Sequence, residues 1–366
     1  MGKRELVLIV VFALAGGFAY RLSAPPSADD ADWSFGGLTE RLRQRIEGPT
    51  FRLVVERHAS LDVPEDVESI VVDTGGRVAL RGEDRDDLSA TLRAAVFGFD
   101  AEDAEDRARE LELELDHRGT RVFVEADTGD DSGARQSRPE LEIAAPAGLE
   151  VDIELRDGSL SAEGLRAVRL DVRDADVTLT DVGTVSGETR NVRVSIERIS
   201  SGDLRVEDGD LTIGTVEAAL DLVVRDASAR IADTAGPVEV EVRDARLDIA
   251  ASAGPLRLNG LEARIAVRAP AGDVEIEAED TEVTISLDRA IAVRVSTSGA
   301  SLEVRLPAGT AFEIDAEARN GRVIVPDELA VVNVGEDTER AAGSIVSPDG
   351  PLLYLRNTDG DIIVLR

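Results

Sequence analysis

Between Ala235 and Asp288 the chain reads AGPVEVEVRDARLDIAAS, AGPLRLNGLEARIAVRAP and AGDVEIEAEDTEVTISLD in unbroken succession, so that Ala-Gly returns every 18 residues. Apolar positions return with it. Val238, Val240 and Val242 line up with Leu256 and Leu258, then with Val274 and Ile276; Leu247 and Ile249 line up with Ile265 and Val267, then with Val283 and Ile285. Upstream, Val224-Arg225-Asp226-Ala227 precedes Val242-Arg243-Asp244-Ala245 by the same step, and downstream the step stretches to about 19 at Val293, Val295, Leu302 and Val304. Within a unit the apolar positions alternate with charged ones, even-numbered before Asp244 and odd-numbered after it. Alternation of period two puts one face of each strand in a core and the other in water. Each unit therefore predicts two short strands and two turns. Its few aliphatic side chains cannot offset the entropy of ordering its backbone, so units must stack and share hydrogen-bond ladders.

Stacking in parallel brings residue i beside i+18, and the small Ala-Gly pair marks a place where each coil turns tightly. The same register makes Glu239, Arg257 and Glu275 outward neighbours of alternating sign. A hairpin meander of equal period is the alternative. It calls for Asn-Gly or Asp-Gly at every second turn, and here those pairs are irregular.

Flanking segments read differently. Lys3 and Arg4 precede the apolar run Leu6–Tyr20, closed by Arg21. As a helix it spans roughly 22 Å against a hydrocarbon core of ~30 Å, the length of a signal peptide or of a short anchor with snorkelling ends. Pro25 after Leu22-Ser23-Ala24 is a poor cleavage context, which favours the anchor. More basic charge before the run than after it predicts an inside tail and an exported body. Residues 23–50 predict a Pro-rich, acidic linker holding a short amphipathic helix on Leu38, Leu42 and Ile46, lying on the membrane or packed on the end of the domain. Ser69–Gly82 reads as two alternating runs around Thr74-Gly75-Gly76, a hairpin signal. Asp100–Glu110 reads as a helix capped by Asp100 with Asp103 in its first turn. Leu111, Leu113 and Leu115 then alternate, His117-Arg118-Gly119-Thr120 turns, and Val122 and Val124 alternate back. Asp127–Ser137 has the composition of a polar loop.

The 366 residues carry 74 acidic side chains against 41 basic ones, a net charge of -33, which opposes nucleic-acid binding. Only 3% of residues are aromatic, in keeping with thin aliphatic cores, and no cysteine is present for disulfide, thiolate-metal or thiol chemistry. The two histidines, His58 and His117, lie 59 residues apart in strand-turn sequence and read as surface residues. No Gly-x-Ser-x-Gly elbow and no phosphate loop with Lys occurs. Chance carboxylate pairs abound in so acidic a chain. The runs Glu83–Asp87 and Asp127–Asp131 match neither an EF-hand nor a calcium-repeat pattern, and read as solvated loops.

The corners Asp157-Gly158-Ser159-Leu160, Ser201-Gly202-Asp203-Leu204, Asp208-Gly209-Asp210-Leu211, Ala271-Gly272-Asp273-Val274 and Asp359-Gly360-Asp361-Ile362 are variants of one Gly-Asp-aliphatic theme, with Asn320-Gly321-Arg322-Val323 less regular. With the helix at 100–110 and the segment Ile143–Leu155, they make residues 65–366 resemble the bacterial putative-adhesin β-strand-repeat family. Ala-Gly-Pro replaces Gly-Asp in two coils. The resemblance implies a right-handed β-solenoid or stacked-sheet fold, exposure at the envelope, and no established catalytic residues.

The expectation is an all-β, single-domain β-solenoid, with coils of about 18 residues and two short strands each, and one short helix near 100–110. Its domains are an N-terminal transmembrane anchor or signal segment (1–22), a linker (23–50) and the repeat domain (51–366). The expected role is a non-enzymatic, adhesion-like or structural one in a single-pass, extracytoplasmic envelope protein. No catalytic, metal or cofactor-binding residue and no cofactor is nominated. The expected partners are the membrane, through the N-terminal helix, and an envelope polymer, glycan or protein, with no nucleic acid. An envelope sensor partnering a membrane signalling protein is the alternative, and a carbohydrate-active enzyme a more distant one.

Overall fold

Alternation does what the sequence asks of it: Val238, Val240 and Val242 are buried while Glu239, Glu241 and Arg243 between them are exposed, and the same pattern runs through the repeat. The computed structural model describes residues 51–127 and 139–366. The expected membrane helix, the linker with Leu38, Leu42 and Ile46, and the polar loop beyond Asp127 lie outside the described residues. Among those described, no helix is long and apolar enough to cross a membrane.

In chain order the elements are Phe51–Asp62 (β1), Ser69–Glu83 (β2), Asp87–Gly98 (β3), the helix Ala101–Arg109 (α1), Glu112–Arg118 (β4), Arg121–Asp127 (β5) and Glu140–Pro146 (β6). Longer strands come after these at Glu150–Glu163 (β7), Ala167–Thr180 (β8), Val182–Arg190 (β9) and Arg193–Glu207 (β10). Short ones come next: Asp210–Val216 (β11), Leu220–Arg225 (β12), Ser228–Thr234 (β13), Val238–Arg243 (β14), Arg246–Ile249 (β15), Leu256–Leu261 (β16), Arg264–Arg268 (β17), Val274–Glu279 (β18), Glu282–Ser286 (β19), Val293–Ser298 (β20) and Leu302–Arg305 (β21). The last are Phe312–Arg319 (β22), Val323–Ile324 (β23), Val331–Asn333 (β24), Thr338–Ile345 (β25), Leu352–Thr358 (β26) and Ile362–Leu365 (β27).

The protein is all-β apart from α1 among the described residues, and its repeats pair in parallel. β12, β14, β16, β18 and β20 form one ladder; β11, β13, β15, β17, β19 and β21 form a second. Val238 faces Leu256 and Leu256 faces Val274, as Leu247 faces Ile265 and Ile265 faces Val283. The antiparallel meander is thus not the pairing these repeats adopt. The step is not constant along the chain. Glu150 faces Ala167 and Ala167 faces Thr184, a step of 17; Leu220 faces Val238, a step of 18; Val274 faces Val293, a step of 19. In β7, β8 and β10 one continuous strand bends through the corner and serves both ladders, so the expected pair of short strands is fused there.

In β7 and β8 the bend lies at a residue with positive φ, Asp157 and Asp174, and the same corner recurs along the stack at Asn191, Asp208, Asp226, Asp244, Glu262 and Asp280, whereas β10 bends at the opposite turn, between Ile199 and Gly202. Asp and Asn tolerate the left-handed region better than most residues. Their backbone N–H groups continue the ladder through the corner. Asp226 donates to the Arg243 carbonyl at 3.1 Å and Asp244 to that of Leu261 at 3.0 Å. The Gly-Asp theme therefore covers two different turns. In Asp157-Gly158, Asp208-Gly209, Asn320-Gly321 and Asp359-Gly360 the residue before the glycine has the positive φ of this corner, whereas Ser201 and Ala271 do not; Gly272 stacks on Gly254 at the turn of the Ala-Gly pairs, and Gly202 faces Leu220 just beyond that turn.

Two expectations need correction. Thr74-Gly75-Gly76 does not reverse the chain: β2 runs on from Ser69 to Glu83 and both its halves pair in parallel with β7. Gly76, at φ +99, makes a coil corner. Stack order also departs from chain order at both ends. β2 lies between β5/β6 and β7, and β26/β27 lie between β20/β21 and β22/β23.

Antiparallel strands cover each end. β1 and β3 pair beyond β6, β4 pairs with β5, and β25 and β24 pair beyond β22. The β4–β5 hairpin is the one expected, with Gly119 at its turn. Helix α1 starts where expected, the Asp100 carboxylate accepting from Asp103 N–H at 2.9 Å. It packs Ala108 against Val55, Ala94 and Val96, and Arg57 donates to the Ala108 and Leu111 carbonyls at its end. The main core is one continuous aliphatic column; Phe312 is its largest fully buried side chain.

Candidate functional site

A long concave feature runs along the outside of the first ladder. Its wall is the outward column Asp203, Asp221, Glu239, Arg257, Glu275, Arg294 and Tyr354, each in register with the next. At the usual interstrand spacing this column is roughly 29 Å long. Beside it runs a row of turn residues that includes Ala219, Pro237, Pro255, Asp273 and Ala292. Leu220, Val238, Leu256, Val274 and Val293 lie beneath the groove but are themselves buried, so its exposed apolar surface comes from Ala219, Pro237 and Pro255, and it encloses about 730 Å³. The backbone beneath is already spoken for. Leu220 N–H donates to the Pro237 carbonyl at 3.1 Å and Val238 N–H to that of Pro255 at 3.0 Å. A ligand here meets side chains and apolar surface, not a free strand edge.

Charge is graded along the groove. At one end Asp203, Asp221 and Glu239 stand in consecutive register, and neither they nor Asp273 form an ion pair or side-chain hydrogen bond among the described residues. Partial burial, with Asp203 and Glu239 on either side, holds the Asp221 carboxyl above its ordinary value. Midway, Arg257 Nε meets Glu275 at 3.4 Å, so the alternating row of Glu239, Arg257 and Glu275 stands as expected. At the far end Arg294 and Arg356 lie over the Tyr354 ring, 4.7 and 4.0 Å from its centre. Arg356 also donates to the Asp315 carboxylate at 2.9 Å, as does Arg340 Nε at 3.1 Å. Burial raises the Asp315 carboxyl, but these two guanidinium groups outweigh it and hold the group below its ordinary value.

The groups singled out in the sequence fall elsewhere. His58 Nδ1 is 3.0 Å from the Thr91 hydroxyl and its Nε2 is 2.9 Å from Glu56, on β1 at one end of the stack. His117 lies on β4 opposite Val122. In the acidic run Glu83–Asp87, Arg85 bridges Asp87 at 2.8 Å and Glu83 at 3.3 Å. Among the described residues no group of three or more His, Asp or Glu is placed to hold a metal ion. The groove itself was only half visible in the sequence. Its Asp203-to-Arg294 side follows from the 18- and 19-residue steps; Tyr354 does not, because its coil joins the column out of chain order.

No family model matches the chain, and no curated protein matches it. Solved structures do. A putative cell adhesion protein from Clostridium sporogenes aligns at 11% identity over 85% of this chain and 99% of its own, with a TM-score of 0.21. A putative adhesin from Parabacteroides merdae aligns at 10% identity over 67% of this chain and 92% of its own, with a TM-score of 0.39. Another from Parabacteroides distasonis aligns at 11% identity over 68% and 95%, with a TM-score of 0.38. The adhesin resemblance read from the corners thus recurs among these neighbours by name, while the TM-scores are too low for the likeness to carry an argument about function.

Proposed function

We propose that the chain is a non-enzymatic, extracytoplasmic binding module with an adhesion-like role. In this reading the two parallel ladders are the sides of a β-solenoid, and the segment 1–22 holds it at the cell membrane. The observation that carries the reading is the groove from Asp203 to Tyr354, which sets one outward side chain of each successive coil in a continuous row. Such a site suits an extended polymer lying along the stack, and a repeat array is the usual way to build a long binding surface. Its unpaired carboxylates favour a neutral or amine-bearing chain over an anionic one.

The test uses cells displaying the full chain and a panel of immobilised neutral, amine-bearing and anionic polysaccharides. Retention on a neutral or amine-bearing polymer is expected, with at least a tenfold loss for the double variant Asp221→Arg, Glu239→Arg. Failure to retain on every polymer, or retention unchanged by the variant, overturns the groove reading. Fractionation and protease shaving of the same cells test the anchor: membrane-bound, full-length, externally cleaved protein is expected, and a shortened soluble product refutes it.

A further inference from the structure

Chain order would place the coil of β20 and β21 directly against that of β22 and β23. Instead β26 and β27 fill the space between them. Val293 and Ile314 both face Leu353, and Leu302 and Val323 both face Ile362, all in parallel. The slot is specific on both sides. Leu302 N–H donates to the Asp361 carbonyl at 2.9 Å, and Ile362 N–H to that of Arg322 at 2.9 Å. Asn357 Nδ2 donates to the Ala300 carbonyl at 2.7 Å, and Arg356 to Asp315. Leu353, Leu355, Ile362 and Val364 are fully buried in it.

The way in is awkward. β25 lies on the outer side of β22 and β26 on its inner side, so the connection 346–351 must cross over the end of β22. It begins with Val346 at φ +68, exposed to solvent. A β-branched side chain in the left-handed region is strained, and nothing buries Val346 in compensation. Pro348 and Pro351 restrict the rest of the connection, and Gly350 is pressed on the Ala311–Phe312 backbone, where a Cβ would come within 2.5 Å. A short, strained hinge ahead of an element whose contacts are all specific is the condition under which identical chains exchange that element.

We propose that the coil 352–365 exchanges between two copies of this chain, each filling the slot of the other, with the connection 346–351 extended as the hinge. Every ladder contact of the slot is then made in trans, and the strain at Val346 is released. The partner is a second copy, and the proposal stands independently of the groove reading.

Ser298 and Thr358 are register neighbours across the slot, away from the groove, and the natural chain has no cysteine. The interstrand spacing of about 4.8 Å lies within the Cα range a disulfide spans. The variant Ser298→Cys, Thr358→Cys of the full chain is unfolded, refolded in detergent at low and at high protein concentration, and oxidised. Closed monomers give only intrachain bonds; exchanged pairs give a disulfide-linked dimer that association through any other surface does not. Covalent dimer rising with concentration is expected, and adding Val346→Gly is expected to lower its yield several-fold by relaxing the closed hinge. In parallel, two differently tagged wild-type populations are expected to co-purify after joint refolding more than after mixing as folded proteins. Intrachain bonds alone at every concentration, or a dimer yield that Val346→Gly leaves unchanged, overturns the proposal.

Discussion

Two kinds of residue hold the coils in register, and they do so for opposite reasons. At the left-handed corner the column from Asp157 to Asp280 supplies backbone conformation. At the other turn Gly236, Gly254 and Gly272 supply absence: a Cβ on Gly254 would lie 2.2 Å from the Gly236 carbonyl oxygen, and one on Gly272 2.4 Å from the Gly254 backbone. Backbone atoms cannot swing aside as a side chain can, so Gly254→Ala must push two coils apart. A loss of about 1–3 kcal/mol is expected, the range for overpacking, read as a lower urea midpoint at unchanged slope. Gly148→Ala, where nothing lies within 4 Å of the added atom, is the control and should be close to neutral. Charge at the residue scale is tested at Asp221, whose carboxyl is raised first by partial burial and then by Asp203 and Glu239. A carboxyl whose pKa is raised on folding favours the folded state while protonated, and that contribution is lost as pH rises through the folded value. At neutral pH, therefore, the ionised column destabilises, and Asp221→Asn should stabilise by a few tenths of a kcal/mol, a small effect because the site is solvated. The gain should vanish below the ordinary carboxylate range near pH ~4. A variant less stable than wild type at pH 7 would mean that Asp221 has a cationic partner in the folded protein.

At the scale of elements, what could be read in advance was whatever depends on near neighbours in the chain. The inward columns of β14 to β19, the capped helix α1 and the β4–β5 hairpin follow from alternation, a capping Asp and a glycine turn, all local signals. Thr74-Gly75-Gly76 misled because a coil corner and a hairpin both need a permissive backbone, and only the pairing partner distinguishes them. The intercalated coils β2 and β26/β27 could not be read at all. Their partners are set by position in the stack, and an 18-residue offset carries no information once chain order and stack order part. The same gap hid Tyr354 from the groove. Where the orders agree, the solenoid reading makes each coil a unit defined by nearest neighbours, with a stability that sums its own and its interface terms. Duplicating residues 236–253 inserts one whole coil without changing which face any side chain presents. The elongated protein is expected to fold with an unchanged circular dichroism band shape and an unfolding midpoint no lower than wild type. Inserting one residue between Val240 and Glu241 turns every later side chain of β14 to the wrong face, and the same measurement should show a large loss. Equal damage from both insertions would mean that the coils are not interchangeable units.

For the whole molecule the open question is the sign of its electrostatics. Ion pairs between neighbouring coils are numerous, with Arg205 to Glu188 at 2.7 Å and Arg264 to Glu282 at 2.8 Å among them. They are exposed, and pairs of that kind contribute about 0–1 kcal/mol each and weaken with salt. Against them stand a net charge of -33 and the unpaired column Asp203, Asp221 and Glu239, which repel and are also screened by salt. The two contributions respond to ionic strength in opposite directions, so one titration decides which is larger. A compact state holds these charges closer together than an unfolded chain does. The excess of repulsion should therefore prevail, and raising sodium chloride from low to physiological concentration at pH 7 should raise the unfolding temperature. A fall over the same range would show that the inter-coil pairs, not the net charge, dominate, and that alternating rows such as Glu239, Arg257 and Glu275 hold the stack together as much as its aliphatic column does.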